Sequence, residues 1–405
     1  MAKPLNILFL SHRVPFPPNK GEKIRSFNEL RHLSRNHQIH LLAFCDQPDE
    51  LGHARELQKY CRTVTLIPLN RHVQYLRAAT AMLRGRPWSL GYFNSPRMYT
   101  ALQDLMRKES IDRIFVYCSS MAGYVEDIKG IPKILDFVDS DALKWRQYSE
   151  KRSAPSAWLY AYEARKLLQY EHHLIQTFDH SIFVSSRELS GHELKTSQDK
   201  VSFIQNGINL DFFKPGGGAG PSPGPGIAFT GAMDYYPNID GVLYFANEIF
   251  PEIQKQCADA QFFIIGSRPV NSIRKLASIP GITVTGTVDD VRPFLSQCRV
   301  AVVPLRIAQG IQNKILEALA SGLPVVTTPI AAGSLGNNPE LPVTLASSPK
   351  LFAKHVLDYI HKAPLSSDAI QTARDYLSNH YSWHSNLAAL DEIISAPLSN
   401  KKTGP

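Results

Sequence analysis

The stretch from Val302 to Val326, "VVPLRIAQGIQNKILEALASGLPVV", reads as a buried strand, a loop, a helix and a second buried strand. Two short apolar runs joined by a helix are what a parallel crossover connection requires. On a helical wheel of about 100° per residue, Ile315, Leu316 and Leu319 cluster on one side, which is predicted to pack on the sheet. Lys314 and Glu317 fall on the opposite side, three positions apart, where both reach one object above the helix's first turns.

The same grammar runs outward in both directions. Toward the N-terminus the strand candidates are "NILFLS" (6–11), "QIHLLAF" (38–44), "VTLIPL" (64–69), "RIFVYC" (113–118), "KILDFVD" (133–139) and "HSIFVSS" (180–186). In the second half they are "GIAFTG", "AQFFIIG", "ITVTG", "RVAVVPL" and "LPVVTT". Between the halves "FFKPGGGAGPSPGPG" (212–226) offers few side chains to pack and reads as a linker. The expected fold is therefore α/β, two Rossmann-like doubly wound domains over 1–214 and 227–375, joined by a linker over 215–226. A final helix over 376–398, carrying "YSWHSNLAALDEII", is expected to return to the first domain.

A chain of 405 residues is long enough for two domains that bury their cores without staples. Five scattered cysteines with no C-x-x-C pair fit a reducing compartment, and no H-E-x-x-H or similar spacing asks for a metal, so none is expected. The apolar run of "MAKPLNILFLSHRV" is too short for a signal peptide, and no later run approaches the roughly 20 residues of a membrane span. A cytoplasmic protein is expected, in contact with a membrane surface at most. The first strand is followed by "SHRVPFPPNKGEKIR", in which Gly21 is the one glycine; the fingerprint G-x-G-x-x-G is absent, which counts against a dehydrogenase. Its prolines are expected to hold an open loop ending at a helix that begins near Gly21 to Lys23.

The net charge of +8 belongs to the first half: residues 1–214 hold 30 Lys and Arg against 22 Asp and Glu, and the remainder 14 against 14. No acid occurs between Glu56 and Asp104, an interval holding Lys59, Arg62, Arg71, Arg77, Arg84, Arg86 and Arg97. Tyr75, Leu76, Ala79, Met82, Leu83 and Trp88 intersperse the arginines, the pattern of a helix lying on an anionic membrane, with an ordinary solvent-facing helix as the plain alternative. Nucleic acid is not expected as a partner, since no aromatic platform accompanies the charge.

A helix N-terminus preceded by Gly310 favours phosphate, and Lys314 adds a full charge for a diphosphate. Glu317 is suited to accept two hydrogen bonds from a ribose diol. Together they describe a nucleotide site; the alternative is an exposed i, i+3 ion pair.

At this point the residues resemble a known family. "GIQNKILEALASGLPVVTT" is similar to the donor-binding segment of glycosyltransferase family four, retaining enzymes of the two-domain GT-B fold, with a cleft between the domains. "IQNGINLDFF", "FTGAMDYYPNIDGVLYF", "FFIIGSRP" and "ITVTGTVDDVRPFL" extend the resemblance over nearly the whole chain. "SHRVPFPPNKGEKIRSFN", "LDFVDSDALKWRQY" and "RIAQGIQNKILEA" look like the sugar transferases associated with exosortase and PEP-CTERM exopolysaccharide systems. Two departures stand out: Gln309 occupies the position of a second family glutamate, and the usual Arg and Lys are missing from "FTGAMDYYPN".

The resemblance implies metal-independent transfer of a sugar from a nucleotide-diphosphate sugar to a glycan or lipid-linked glycan, with retention of configuration and no cofactor. It assigns Lys314 to the diphosphate, helped by Gly310 and by Arg306 or Arg268, Glu317 to the ribose, and Gln309 to the sugar. Gly231, Gly266, Arg268 and Val288 are implied donor contacts. In the first domain Gly21 should approach the phosphates or the transferred sugar, with Lys23 and Arg25 as positive charge on the acceptor side. Asp139 is the candidate for the acceptor hydroxyl or the reacting sugar, and Asp136, inside its strand, the structural rival. Asn206 and Gly207 are expected to shape the cleft from a turn. The alternatives are a non-hydrolysing nucleotide-sugar epimerase and a non-catalytic sugar-nucleotide or glycan-binding subunit.

Overall fold

The computed structural model describes residues 3–18, 21–185, 189, 200–216, 224–308, 312–335 and 338–396. The chain divides into two units, Met1–Gln205 with Asn386–Pro405, and Asn206–Ser385. The division precedes the Gly/Pro stretch, of which 217–223 lie outside the described residues.

Unit one is a seven-stranded parallel sheet in the order β3-β2-β1-β4-β5-β6-β7. Its strands are β1 (Asn6–Ser11), β2 (Gln38–Cys45), β3 (Thr63–Pro68), β4 (Arg113–Tyr117), β5 (Lys133–Asp136), β6 (His180–Phe183) and β7 (Val201–Phe203). β1, which lies between β2 and β4, is buried on both faces from Ile7 to Ser11, the environment its unbroken apolar run predicts. The helices that matter below are α1 (Gly21–Leu33), α2 (Arg71–Leu83), α3 (Asp141–Glu150) and α4 (Ser156–Thr177).

β5 ends at Asp136, not at Asp139 as read from the sequence. Val138 takes φ of 65°, a left-handed conformation that a β-branched residue rarely adopts, and this turns the chain out of the sheet. Ser140 then caps α3, its hydroxyl accepting from Leu143 N. Asp136 is thereby a strand-end residue, and Asp139 lies in the turn beyond it.

Unit two is a six-stranded parallel sheet in the order β10-β9-β8-β11-β12-β13. Its strands are β8 (Gly226–Thr230), β9 (Gln261–Ile265), β10 (Ile282–Gly286), β11 (Cys298–Val303), β12 (Val325–Thr327) and β13 (Val343–Leu345). Three helices are needed here: α5 (Tyr236–Tyr244), α6 (Asn313–Ala320) and α7 (Ser367–His380). The three-residue strands β7 and β13 are too short to show in the apolar pattern.

In both sheets the strand order reverses once, between β1 and β4 and between β8 and β11, and doubly wound sheets bind ligands at the carboxyl ends beside such points. The last helix, α8 (Trp383–Ser395), starts in unit two and passes into unit one at Asn386. There Asn386 Nδ2 donates to Gln205 O, Asp391 meets His32 Nε2 at 3.0 Å, and Arg113 donates to the carbonyls of Ile394 and Ala396.

Candidate active site

The unit-two site is built on two glycines. Beyond β8, Gly231 N donates to Ile265 O, and beyond β9 the backbone of Gly266 packs against Gly231. A Cβ at Gly266 would lie 1.7 Å from Gly231 O, and one at Gly231 would lie 2.6 Å from Asn238 Nδ2. Both have φ of 153°, so only glycine lets these two turns close together.

Asn238, in the first turn of α5, knits the assembly. Its Nδ2 donates to Ala232 O at 2.9 Å and its Oδ1 accepts from Lys314 Nζ at 2.6 Å. The Lys314 ammonium also sits 4.2 Å from the Phe229 ring centroid. Sequence reasoning missed Asn238, whose only local signal is a polar residue after Tyr-Pro at a helix start.

The helix wheel needs a correction. α6 packs on both sides: Ile315, Leu316 and Leu319 are buried, while Lys314, Glu317 and Ala318 line a tight crevice with Ala228 and Thr230 of β8 and Ala301 and Val303 of β11. Lys314 and Glu317 are therefore half-buried against the sheet, and no ion pair joins them to each other or to any charged group among the described residues. Burial pushes the Lys314 amine down to about 7, against the pull of Glu317, and pushes the Glu317 carboxyl up to about 7, against the pull of Lys314. The two oppose desolvation without overcoming it, which leaves a cation short of an anion. The N-cap of α6, Gln312, makes no side-chain cap bond, and at this helix start beside the amine Ile315 N donates to Gln312 O at 2.9 Å. Asn206 Nδ2 reaches Asn313 Oδ1 at the same helix start, and Gly207 packs so closely on Trp383 that a Cβ would lie 2.6 Å from its ring.

The two arginines expected to share the diphosphate are already paired. Arg306 makes two bonds to Asp240, at 2.6 and 2.9 Å, and stacks over Tyr244. Arg268, at φ of 54°, holds Asp234 at 2.9 Å on the rim of the Gly231 and Gly266 turns. Val288, beyond β10, is half-buried against the unit-two core. Gln309 and Gly310 lie outside the described residues.

In unit one, Gly21 is exposed and opens α1 as expected, but the two cations that follow do not present charge to an acceptor. Lys23 is buried with Glu50 at 2.6 Å. Arg25 is fully buried, bonded to Asp136 at 2.7 Å, to Ile204 O at 2.8 Å, and paired with Glu29 at 3.0 Å. Their i, i+2 spacing at a helix start could not reveal that Glu50 and Asp136 meet them from other segments. Asp136 has the structural part that its strand position implied. Asp139 is half-buried, with no hydrogen bond or ion pair among the described residues, and burial raises its carboxyl to about 6, with Lys144 opposing. His12, directly after β1, is a second polar side chain at this sheet edge that the sequence reading passed over.

Residues 224–362 match the family described as "Glycosyl transferases group 1". The chain is 19% identical over 401 residues, 94% of its length and 97% of the relative's, to an uncharacterized 44.6 kDa protein in the cps region of Klebsiella pneumoniae. Its fold is similar to sucrose-phosphate synthase from Thermosynechococcus elongatus, with TM-score 0.72, 16% identity, and coverage of 96% of this chain and 98% of that one. HepE of Anabaena in complex with UDP and glucose gives 0.65, 13% identity, 96% and 99%. WaaG, a glycosyltransferase involved in lipopolysaccharide biosynthesis, gives 0.65, 15% identity, 96% and 100%. A group 1 match over the segment that carries Lys314 and Glu317, within a chain whose fold is GT-B from end to end, supports a glycosyltransferase.

Proposed function

We propose that the protein transfers a sugar from a nucleoside diphosphate sugar to a glycan or lipid-linked glycan, with retention of configuration and without a metal, at the cytoplasmic side of envelope or exopolysaccharide synthesis. The observation that carries this reading is the Lys314 amine, held by the neutral Asn238 beside two glycine turns and a helix start, with no ion pair to a carboxylate among the described residues. A diphosphate leaving group develops negative charge as the anomeric bond breaks, and a preorganised cation and backbone N–H groups stabilise it there. Glu317, whose carboxyl has no hydrogen bond or ion pair among the described residues, takes the ribose hydroxyls. Gln309 is kept as the sugar contact and Arg268 as a rim contact that must first release Asp234. The capsule-region relative and the sequence resemblance to exosortase-associated transferases support the polysaccharide context.

UDP, seen bound to HepE, is the first ligand to test, followed by other nucleoside diphosphates. A rise in melting midpoint with one of them, lost in Lys314→Ala, is expected. No rise with any nucleotide, or an unchanged rise in the variant, refutes the donor site. Product release from the matching nucleotide sugar is expected to survive EDTA, and formation of an isomeric nucleotide sugar without acceptor would favour the epimerase reading instead.

We also assign α2 to an anionic lipid surface. Tyr75, Leu76 and Leu83 are 64%, 71% and 85% exposed, and Arg71, Arg84 and Arg86 are exposed beside them. Lys59 and Arg62 fall out of this surface, since they pair with Glu56 and Glu109. Among the described residues no helix is long and apolar enough to cross a membrane.

A further inference from the structure

We propose that His12 contacts carbohydrate: its imidazole holds a hydroxyl of the glycosyl acceptor at the carboxyl end of the unit-one sheet. The inference rests on the glycosyl-transfer reading above and adds a residue to it.

His12 follows the last residue of β1, beside the point where the strand order of unit one reverses. It is 8% exposed. Its ring lies flat on Tyr117, centroids 5.8 Å apart at 11°, with Phe93 edge-on at 5.6 Å. Two rings thus fix its orientation, yet its Nδ1 is buried with no hydrogen-bond partner among the described residues. Buried polar atoms in folded proteins are nearly always paired, so an orphan on an immobilised ring at a ligand-binding edge points to a partner that arrives with the ligand.

The chemistry of the surroundings selects the ligand. Arg13 is bound to Glu22 and Asp46 at 2.6 and 3.2 Å, and Lys144 to Asp141, so both of these cations are already matched by carboxylates among the described residues. Burial outweighs the pull of Glu22, Asp141 and Asp46 and, with Arg13, brings the imidazole down to about 4, so the ring is neutral at ordinary pH and has one donor and one acceptor nitrogen. Asp139, whose carboxyl has no partner among the described residues, feels the same Asp141 charge that His12 does. A neutral ring with one donor and one acceptor nitrogen suits hydroxyls rather than phosphate.

The test is saturation-transfer NMR on the full chain with methyl α-D-glucopyranoside, methyl α-D-galactopyranoside and methyl α-D-mannopyranoside as probes, each with and without UDP. His12→Phe keeps the stack on Tyr117 and removes both nitrogens; His12→Asn restores an amide near the Nδ1 position. At least one glycoside is expected to bind the native protein, about ten-fold more weakly in His12→Phe, with most of the loss recovered in His12→Asn. The UDP melting shift should be equal in all three proteins, so a failed donor site shows as a missing UDP shift, and the glycoside arm without UDP still decides His12. Equal glycoside binding in native protein and His12→Phe, or no binding of any of the three to native protein, overturns the proposal.

Discussion

Lys314 Nζ donates to Asn238 Oδ1 at 2.6 Å across 76 residues of sequence. The amide aims the ammonium without neutralising it, so the positive charge stays available to an incoming anion. Lys314→Ala is expected to abolish UDP binding. Asn238→Ala leaves the charge but frees the side chain, and calorimetry should show affinity about ten-fold lower.

Donor binding should also move protons. The free amine sits at about 7 and a bound diphosphate favours its charged form, so its pKa rises on binding. Affinity is then full below about pH 7 and falls as pH climbs above it, by up to about ten-fold per unit, until the bound amine deprotonates too. Calorimetry at about pH 8 in buffers of different ionisation heat should register proton uptake, absent in Lys314→Ala. Glu317 has the opposite sign: its carboxylate forms as pH rises through about 7, so Glu317→Gln should flatten the acid side of the profile.

The Arg25 guanidinium is fully buried between Asp136 and Glu29. Arg25→Met leaves two carboxyls facing each other inside unit one, and burial together with Asp136 already holds Glu29 well above the usual carboxylate range. A loss of about 3–5 kcal/mol in denaturant unfolding is expected. Urea unfolding with a shift below 1 kcal/mol (about the worth of a surface pair) would show that the charge is not buried in solution.

For α2, sedimentation with vesicles is the measurement. Binding to phosphatidylglycerol vesicles at low salt is expected, with none to phosphatidylcholine alone. Leu76→Ser with Leu83→Ser should weaken it about ten-fold or more, since both side chains project into solvent and carry no core packing.

Much of the architecture was legible in the residues. Apolar runs of five or six, spaced by helical periods, can be buried only in parallel sheets with helices on both faces, and β1 and β11 lie where those runs lie. The spacing of Lys314 and Glu317 put them on one side of α6 for the same local reason, a period of 3.6 residues per turn. What sequence could not contain is which charges meet. Lys23, Arg25, Arg268 and Arg306 all read as free cations, and each found a carboxylate from a distant segment, in Glu50, Asp136, Asp234 and Asp240. Lys314 met an amide instead. Those encounters depend on how loops at the strand ends approach one another in space, which backbone periodicity does not encode, and they decide which lysine or arginine remains to bind an anion.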